Sequence, residues 1–585
     1  MRKHLLLPFC LAALFALPEL LAAQRPAKPA QRRPRRPPPQ KQAPAPPPAD
    51  VVIVNAKIFA AQVPLPTPGA QPSAAPPQIA WADALAIRGE RIAAVGSNAD
   101  INKLRGPATR VIDAQGRVVV PGLNDAHTHP TAAPPGVRLA QGDEPFPDPT
   151  FKELLTLVKE AASVAEKGTW IFGTIGPTLI DDAEATRFGL DGVSREHPVL
   201  LRAWTGHGTF FNTAAMKQLG LSETEPDPPG GFFTRLRKGG NDRTLSGFAH
   251  EYAEYRIERT VHELSGDTGL VEAWKKFAAE LSGWGVTSVQ AFMIARDADR
   301  VAAALREVPL PIRVRLVRFP FEDPVRWQPP ANTAPAPAAS MLGVWGTKWI
   351  VDGTPVERLA FLRQDYADRR GWRGQPNFKP PPLTAMLGRA LDSREQVMLH
   401  ASGDGAIDLV FSAMQAAGSP LRWQSRRARL EHGDLLVSDL LDRAAKLGVI
   451  LVQNPSHLTV TELAARFGEA RKAGMQPLKS VLRAGVVLAL GSDGPANPFQ
   501  NIAWATTHPN NPDEALSREE AVQAYTWGSA YAQFAEQERG AIAPGMLADL
   551  AVLSQDIFTA PPAALPATTS VVTIVGGSVV HEREP

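Results

Sequence analysis

The chain has 585 residues, of which 62 are basic, 59 acidic and 44% hydrophobic, with a net charge of +3. That length excludes a single small core, and two to four domains are expected. The one cysteine, Cys10, excludes a disulfide framework and a thiolate metal site, so any metal has to be held by histidine and carboxylate.

The opening "MRKHLLLPFCLAALFALPELLAAQ" sets two basic residues before a short apolar run and small residues at Ala22 and Ala23. It reads as a secretory signal peptide over residues 1–23, too short and too Pro-broken for a transmembrane span, and predicts a secreted or periplasmic protein. Residues 24–50 are basic and Pro-rich and read as an extended, disordered linker. Residues 1–50 hold nine Lys or Arg and two acids, a local net of +7, so the rest of the +3 chain carries −4. The basic excess belongs to the tail, and a nucleic-acid-binding body is not implied.

From residue 51 the texture changes. "VVIVNAKIF" alternates and is rich in β-branched residues, as a strand is. "ADALAIRGERIAAVGS" reads as a hairpin around Gly89 and "RVIDAQGRVVVPG" as another around Gly116. Short strands return at the C-terminus in "GMLADLAVLSQD" and "VVTIVGGSVVHE". Residues 51–118 and 535–585 are therefore expected to form one β-sandwich from both chain ends. Between them, over 119–534, eight apolar runs end in polar or Gly residues and are separated by helical stretches: "VVVPGLNDAHTH", "GVTSVQAF", "IRVRLVRF", "TKWIVDGT", "QVMLHASGD", "RARLEHGD", "GVILVQNPSH" and "GVVLALGSDGP". Eight buried parallel strands with intervening helices predict a distorted (β/α)8 barrel of the α/β class. Residues 131–283 interrupt the repeat and read as an insertion after the first strand, with its own strands in "WIFGTIG" and "PVLLRAWTGH".

The strand ends carry the chemistry. The first gives His127 and His129, spaced so that an extended chain points both to one side. The fourth gives Lys348, whose ammonium in an apolar run would be costly if unpaired, and then Asp352. The fifth gives His400, the sixth Glu431 and His432, and the eighth Asp493. Each alone has an ordinary reading: a loop histidine, a core histidine, a turn aspartate. Glu431 adds little by itself. As a set at the C-terminal face of a barrel, they supply nitrogen and oxygen ligands for one or two divalent cations, Zn²⁺ first among them.

These motifs resemble the metal-dependent amidohydrolase superfamily, in the branch called amidohydrolase family 3. The resemblance spans residues 51 to about 580 and rests on "PGLNDAHTHP", "GVTSV", "TKWIVDGT", "LHASGDGAI", "RLEHGD", "VQNPSH", "AGVVLALGSDGP" and "GAIAPGMLADLAVLSQD". It implies a distorted barrel with a flanking sandwich. It implies that His127 and His129 bind the more buried metal, that His400 and His432 bind a second, and that Lys348 occupies the position that can be a carbamylated bridging lysine. Asp493 matches the aspartate that touches the metal and handles the proton of the attacking water. His207 and His457 are candidates for substrate binding, with a structural role equally open. Asp404 reads as an organiser of the loop after the fifth strand, and Glu251, in the insertion, has no assigned role. Trp204, Phe210, Phe211, Phe292 and Trp345 are compatible with a partly apolar pocket and equally with core packing. The segment "PVERLAFL" after "VDGT" departs from the family pattern.

The implied activity is hydrolysis of non-peptide C–N bonds in N-acyl or N-formyl amines or cyclic amides. The alternatives are deamination or carbamate or ester hydrolysis on the same site, or a catalytically inactive barrel serving as a binding protein. The expected partner is a small-molecule substrate, with no nucleic acid and no membrane span after signal removal. Oligomeric state is not legible.

Overall fold

The computed structural model describes residues 47–62, 75–130, 132–142, 146–236, 243–331 and 333–583. The expected signal peptide and nearly all of the expected linker lie outside the described residues. Among the described residues no helix is long and apolar enough to cross a membrane.

Eight parallel strands build the central sheet in strict chain order: β1 (Leu123–Thr128), β2 (Val286–Phe292), β3 (Arg313–Arg318), β4 (Leu342–Ile350), β5 (Val397–Ala401), β6 (Arg429–His432), β7 (Ile450–Gln453) and β8 (Leu488–Leu490). Every residue of β1, β2, β5, β6, β7 and β8 is buried, as expected of parallel strands covered on both faces. The two ends of the sheet meet just beyond β8. The backbone N–H of Asp493 donates to the carbonyl of His127 at 2.9 Å, and Ser492 donates to Asp125 through its N–H at 2.9 Å and its hydroxyl at 2.6 Å. Gly491 permits this approach, since a Cβ there would lie 2.5 Å from the backbone nitrogen of His127.

The run "VVVPGLNDAHTH" is two strands, not one. Val118–Pro121 pairs with Lys57–Gln62 and Leu550–Leu553 in a six-stranded sheet completed by Gln78–Ala82, Ser570–Val575 and Ser578–Glu582. That sheet reaches Pro121 before Gly122 turns the chain into β1. A four-stranded sheet of Val51–Val54, Ala84–Arg88, Arg91–Gly96 and Arg110–Asp113 packs against it through Ile53, Leu85, Val119, Leu550 and Ile574. The hairpin at Gly89 forms. The expected hairpin at Gly116 does not: Arg110–Asp113 pairs in the four-stranded sheet and Val118–Pro121 in the six-stranded one, so this turn crosses between layers. Alternation alone identifies strands but not which sheet each joins.

After β1 the chain builds a six-stranded sheet ordered Gly231–Arg235, Leu245–Glu251, Gly208–Phe211, Val199–Ala203, Ile171–Ile175 and Val137–Arg138. It includes both strands expected in the insertion. Phe210 and Phe211 pack in its interior and do not reach the barrel's mouth.

Arg313, at the start of β3, donates from Nε and Nη2 to the two carboxylate oxygens of Asp549 at 2.8 and 3.0 Å, with both side chains buried. Asp549 immediately precedes Leu550–Leu553, so the pair joins barrel to sandwich. Removing one partner leaves a buried guanidinium without its counter-charge. Asp549→Ala is expected to lower stability by about 3–5 kcal/mol, read from the urea midpoint, and the double change Arg313→Met with Asp549→Leu to recover most of the loss.

Candidate metal centre

The strand ends converge around His127. Its Nε2 lies 2.9 Å from Lys348 Nζ, 3.2 Å from His129 Nε2 and 3.5 Å from Asp493 Oδ1. Asp493 Oδ1 is also 3.1 Å from His129 Nε2, while its Oδ2 is 3.6 Å from His432 Nδ1 and 3.4 Å from His457 Nε2. The His400 ring lies 4.4 Å from that of His432 and 4.9 Å from that of His207. All eight residues singled out from the sequence therefore form one continuous cluster. His127, His432 and Asp493 offer ligand atoms within 4.8 Å of one another, close enough to share one ion.

A second layer of side chains holds the first. His127 Nδ1 lies 2.6 Å from Glu431 Oε2, and Glu431 in turn accepts from Arg429 Nε at 2.7 Å and Nη2 at 3.0 Å. The carboxylate keeps the His127 proton on Nδ1 and leaves the Nε2 lone pair facing the cluster. His432 Nδ1 is 2.9 Å from Asn454 Oδ1. The Phe292 ring lies 4.3 Å from the His127 ring and 4.3 Å below the Lys348 nitrogen. His432 and Asp493 hold left-handed backbone, with φ of 67° and 46°, a conformation non-glycine residues keep only where surroundings enforce it.

Burial sets the charge states. It pulls His127, His400 and His432 well below the usual imidazole range, helped by the Lys348 charge near each, so they stay neutral as ligands must. Lys348 is drawn down to about 8 by burial. Burial works to raise Asp493, but the surrounding histidines outweigh it and hold the carboxylate well below its usual value. His457 goes the other way: burial opposes its charge, yet Asp434, at 3.2 Å from Nδ1, and Asp493 raise it to about 10. At neutral pH it is an imidazolium.

A cavity of about 120 Å³ opens over the cluster, with Trp204, Val356, Leu463 and Met475 among its apolar walls and His207, His400, His432, His457 and Asp493 among its polar ones. His207 reaches it from the insertion, its Nδ1 2.9 Å from Glu251 Oε1 and 2.8 Å from Tyr255 Oη. Of the other aromatics, Phe292 packs beneath His127 and Trp345 stacks on Arg315. Asp352 takes three backbone N–H bonds, from Phe361, Ser402 and Gly403, and Asp404 takes those of Arg363 and Gly405; both order loops at the strand ends. Glu431, Asn454, Asp434 and Glu251 are the supports that sequence reading leaves unassigned. The sequence signal for Glu431 is slight: it is one of three polar residues, with Arg429 and His432, in a four-residue strand.

A parallel eight-stranded barrel whose C-terminal strand ends gather histidines, a lysine and an aspartate under one cavity is the architecture of a barrel hydrolase. Residues 110–581 match the model of the amidohydrolase family, and the chain belongs to that family. It is accordingly a hydrolase acting on carbon–nitrogen bonds other than peptide bonds. The chain is 27% identical to Protein LONG AFTER FAR-RED 3 of Arabidopsis thaliana, over 86% of this chain and 87% of that one. It is 26% identical to N-substituted formamide deformylase of Arthrobacter pascens, over 86% and 95%. Its fold is similar to that of an uncharacterized metal-dependent hydrolase from Pyrococcus horikoshii, with a TM-score of 0.62, 20% identity and coverage of 88% and 99%.

The charge on His457 depends on the carboxylate at its Nδ1. In chelator-treated protein, histidine NMR between pH 6 and 11 is expected to show His457 titrating near 10. Asp434→Asn removes one of the two anions and is expected to shift that titration downward.

Proposed function

We propose that the chain hydrolyses N-acyl or N-formyl amines, or cyclic amides, with one or two divalent cations, zinc first among them, held at the barrel's strand ends. One observation carries this reading. Around the His127 Nε2 lone pair stand Lys348 Nζ at 2.9 Å, His129 Nε2 at 3.2 Å and Asp493 Oδ1 at 3.5 Å, with Lys348 buried and His129 on the open side. Near them, His400 Nε2 is buried and has no hydrogen-bond partner among the described residues. A buried imidazole nitrogen with no hydrogen bond, Asp352 Oδ1 lying 3.9 Å away, is costly, and neutral imidazoles gathered around a carboxylate suit a cation.

In this reading His127 and His129 would hold the more buried ion and His400 and His432 a second, with Lys348, as a carbamate, between them and Asp493 touching the site. The Lys348 value near 8 favours this, because only the neutral amine takes up carbon dioxide. A divalent cation there supplies Lewis acidity, making water acidic near neutral pH and polarising a carbonyl. Asp493 takes a proton from the attacking water and returns it to the leaving nitrogen, so that amide and water become carboxylic acid and amine. His457, charged and 3.4 Å from Asp493, would steady the developing oxyanion. His207 contacts the substrate from the insertion. The apolar walls of the cavity and the likeness to an N-substituted formamide deformylase support uncharged amides as substrates. The N-terminal sequence supports export to the periplasm or beyond as part of the same reading.

Purified protein is expected to contain divalent metal and to hydrolyse members of a panel of N-formyl and N-acyl amines. Chelation should abolish turnover and metal should restore it. Asp493→Asn should keep metal while losing turnover, and His457→Asn should lower kcat by about 10²-fold. Glu431→Gln should weaken metal affinity by about 10–100-fold. A mass gain of one carbon dioxide on Lys348, reversed by acid, checks the carbamate. Protein that binds no metal and turns over nothing on the panel overturns the reading.

A further inference from the structure

Glu251 ends the strand Leu245–Glu251 and stands at the N-terminus of the helix Tyr252–Leu264. A glutamate there would ordinarily cap the helix or face solvent. This one makes no capping hydrogen bond among the described residues, is 1% exposed, and has φ 56° and ψ −130°. Backbone of that kind persists only where the surroundings over-determine it, and it clusters at functional sites.

The conformation turns the carboxylate toward the cavity side of the insertion. Oε1 lies 2.9 Å from His207 Nδ1, and Oε2 accepts from Asn377 Nδ2 at 2.9 Å. Asn377 is itself fixed to the end of β4, with Nδ2 donating to the Ile350 carbonyl at 3.1 Å and its backbone N–H to Val351 at 2.7 Å. Gly353 leaves room for the carboxylate: a Cβ there would fall 2.4 Å from Glu251 Oε1. An insertion strand, the loop after β4 and a glycine thus fix one carboxylate, and that carboxylate holds one ring of the cavity wall. With Nδ1 occupied by Glu251 and Tyr255, the ring nitrogen left for a ligand is Nε2.

We infer that Glu251 is a positioning residue for the hydrolysis: it holds the Nδ1–H of His207 and so fixes the direction of the ring, so that Nε2 meets the amide group of the substrate. The inference rests on the reading of His207 as a substrate contact.

The test uses the full-length, metal-loaded protein and the N-formyl amine that the wild type turns over best. Glu251→Ala and His207→Ala are each expected to lower kcat by about 10²-fold with a smaller change in KM, as misdirected groups do. The double variant should be no slower than His207→Ala alone, since both remove one device. Glu251→Gln, which keeps one acceptor oxygen, should recover part of the loss, and Asn377→Ala should act in the same direction more weakly. Metal content should stay at the wild-type level. Nitrogen NMR of labelled histidines should show a protected His207 Nδ1–H in the wild type and its loss in Glu251→Ala. Additive effects, an unchanged His207 signal, or losses that follow metal content overturn the inference. If Glu251→Ala does not fold, wild-type kcat and an unchanged His207 signal in both Glu251→Gln and Asn377→Ala overturn it. A wild type with no turnover defeats the functional reading, and the His207 signal then decides the role of Glu251 alone.

Discussion

Arg429, Glu431 and His127 form a chain of charge and hydrogen bonds with no solvent exposure at any member, and the centre is arranged around it. A guanidinium inside a barrel is unfavourable unless its hydrogen bonds are met. Arg429 meets them with Glu431, Gln290 and the carbonyl of Ala126, the residue before His127. Glu431 is thereby paired in the interior, and its remaining acceptor capacity goes to His127 Nδ1. The same interaction fixes the relative height of β1 and β6, the proton position on His127, and the direction of its free nitrogen. Lys348, His129 and Asp493 stand within 3.5 Å of that nitrogen.

What the barrel contributes is convergence, and convergence has a cost. Four imidazoles, a lysine and a carboxylate are brought within a few ångströms in a buried space, and the backbone bends unfavourably at His432 and Asp493 to do so. Burial then keeps the imidazoles uncharged, without which the cluster would repel itself. Asp493 is the one anion touching His127, His129, His432 and His457 together, so it sets both the depth of the site and its local charge balance.

The strands of the barrel were readable because doubly buried parallel strands are continuous apolar runs, and all eight runs hold one, with the metal-type residues at the expected ends. The finer supports were not readable. Glu431 follows Leu430 in a strand where period alone gives no partner, and its role depends on Arg429 two residues back and His127 some 300 positions away. Glu251 has no role assignable from sequence because the backbone twist at its position leaves no mark in the residue pattern. The turn at Gly116 misled for a related reason: a glycine turn between two alternating segments has the pattern of a hairpin, whereas the partners of both strands lie elsewhere in the chain.

The segment that departs from the family pattern, "PVERLAFL", acquires a physical role through its contacts. Glu357 accepts from Thr205 of the insertion and Thr354 of its own loop, and Pro355 and Val356 form part of the cavity wall. Next to it, Arg358 pairs with Asp181 of the insertion at 2.6 Å and with Asp368 at 2.9 Å. Arg466, in the segment after β7, pairs with the same two acids at 3.1 and 2.6 Å. Shared charges of this kind act as a network, and the network ties the insertion, the β4 loop and the β7 loop into one rim. The lining of the cavity beyond the strand ends therefore belongs to no single element. Thr205 stands between Trp204 and His207 in the chain and bonds to Glu357, so the segment that departs from the family pattern is tied to the insertion residues that line the cavity.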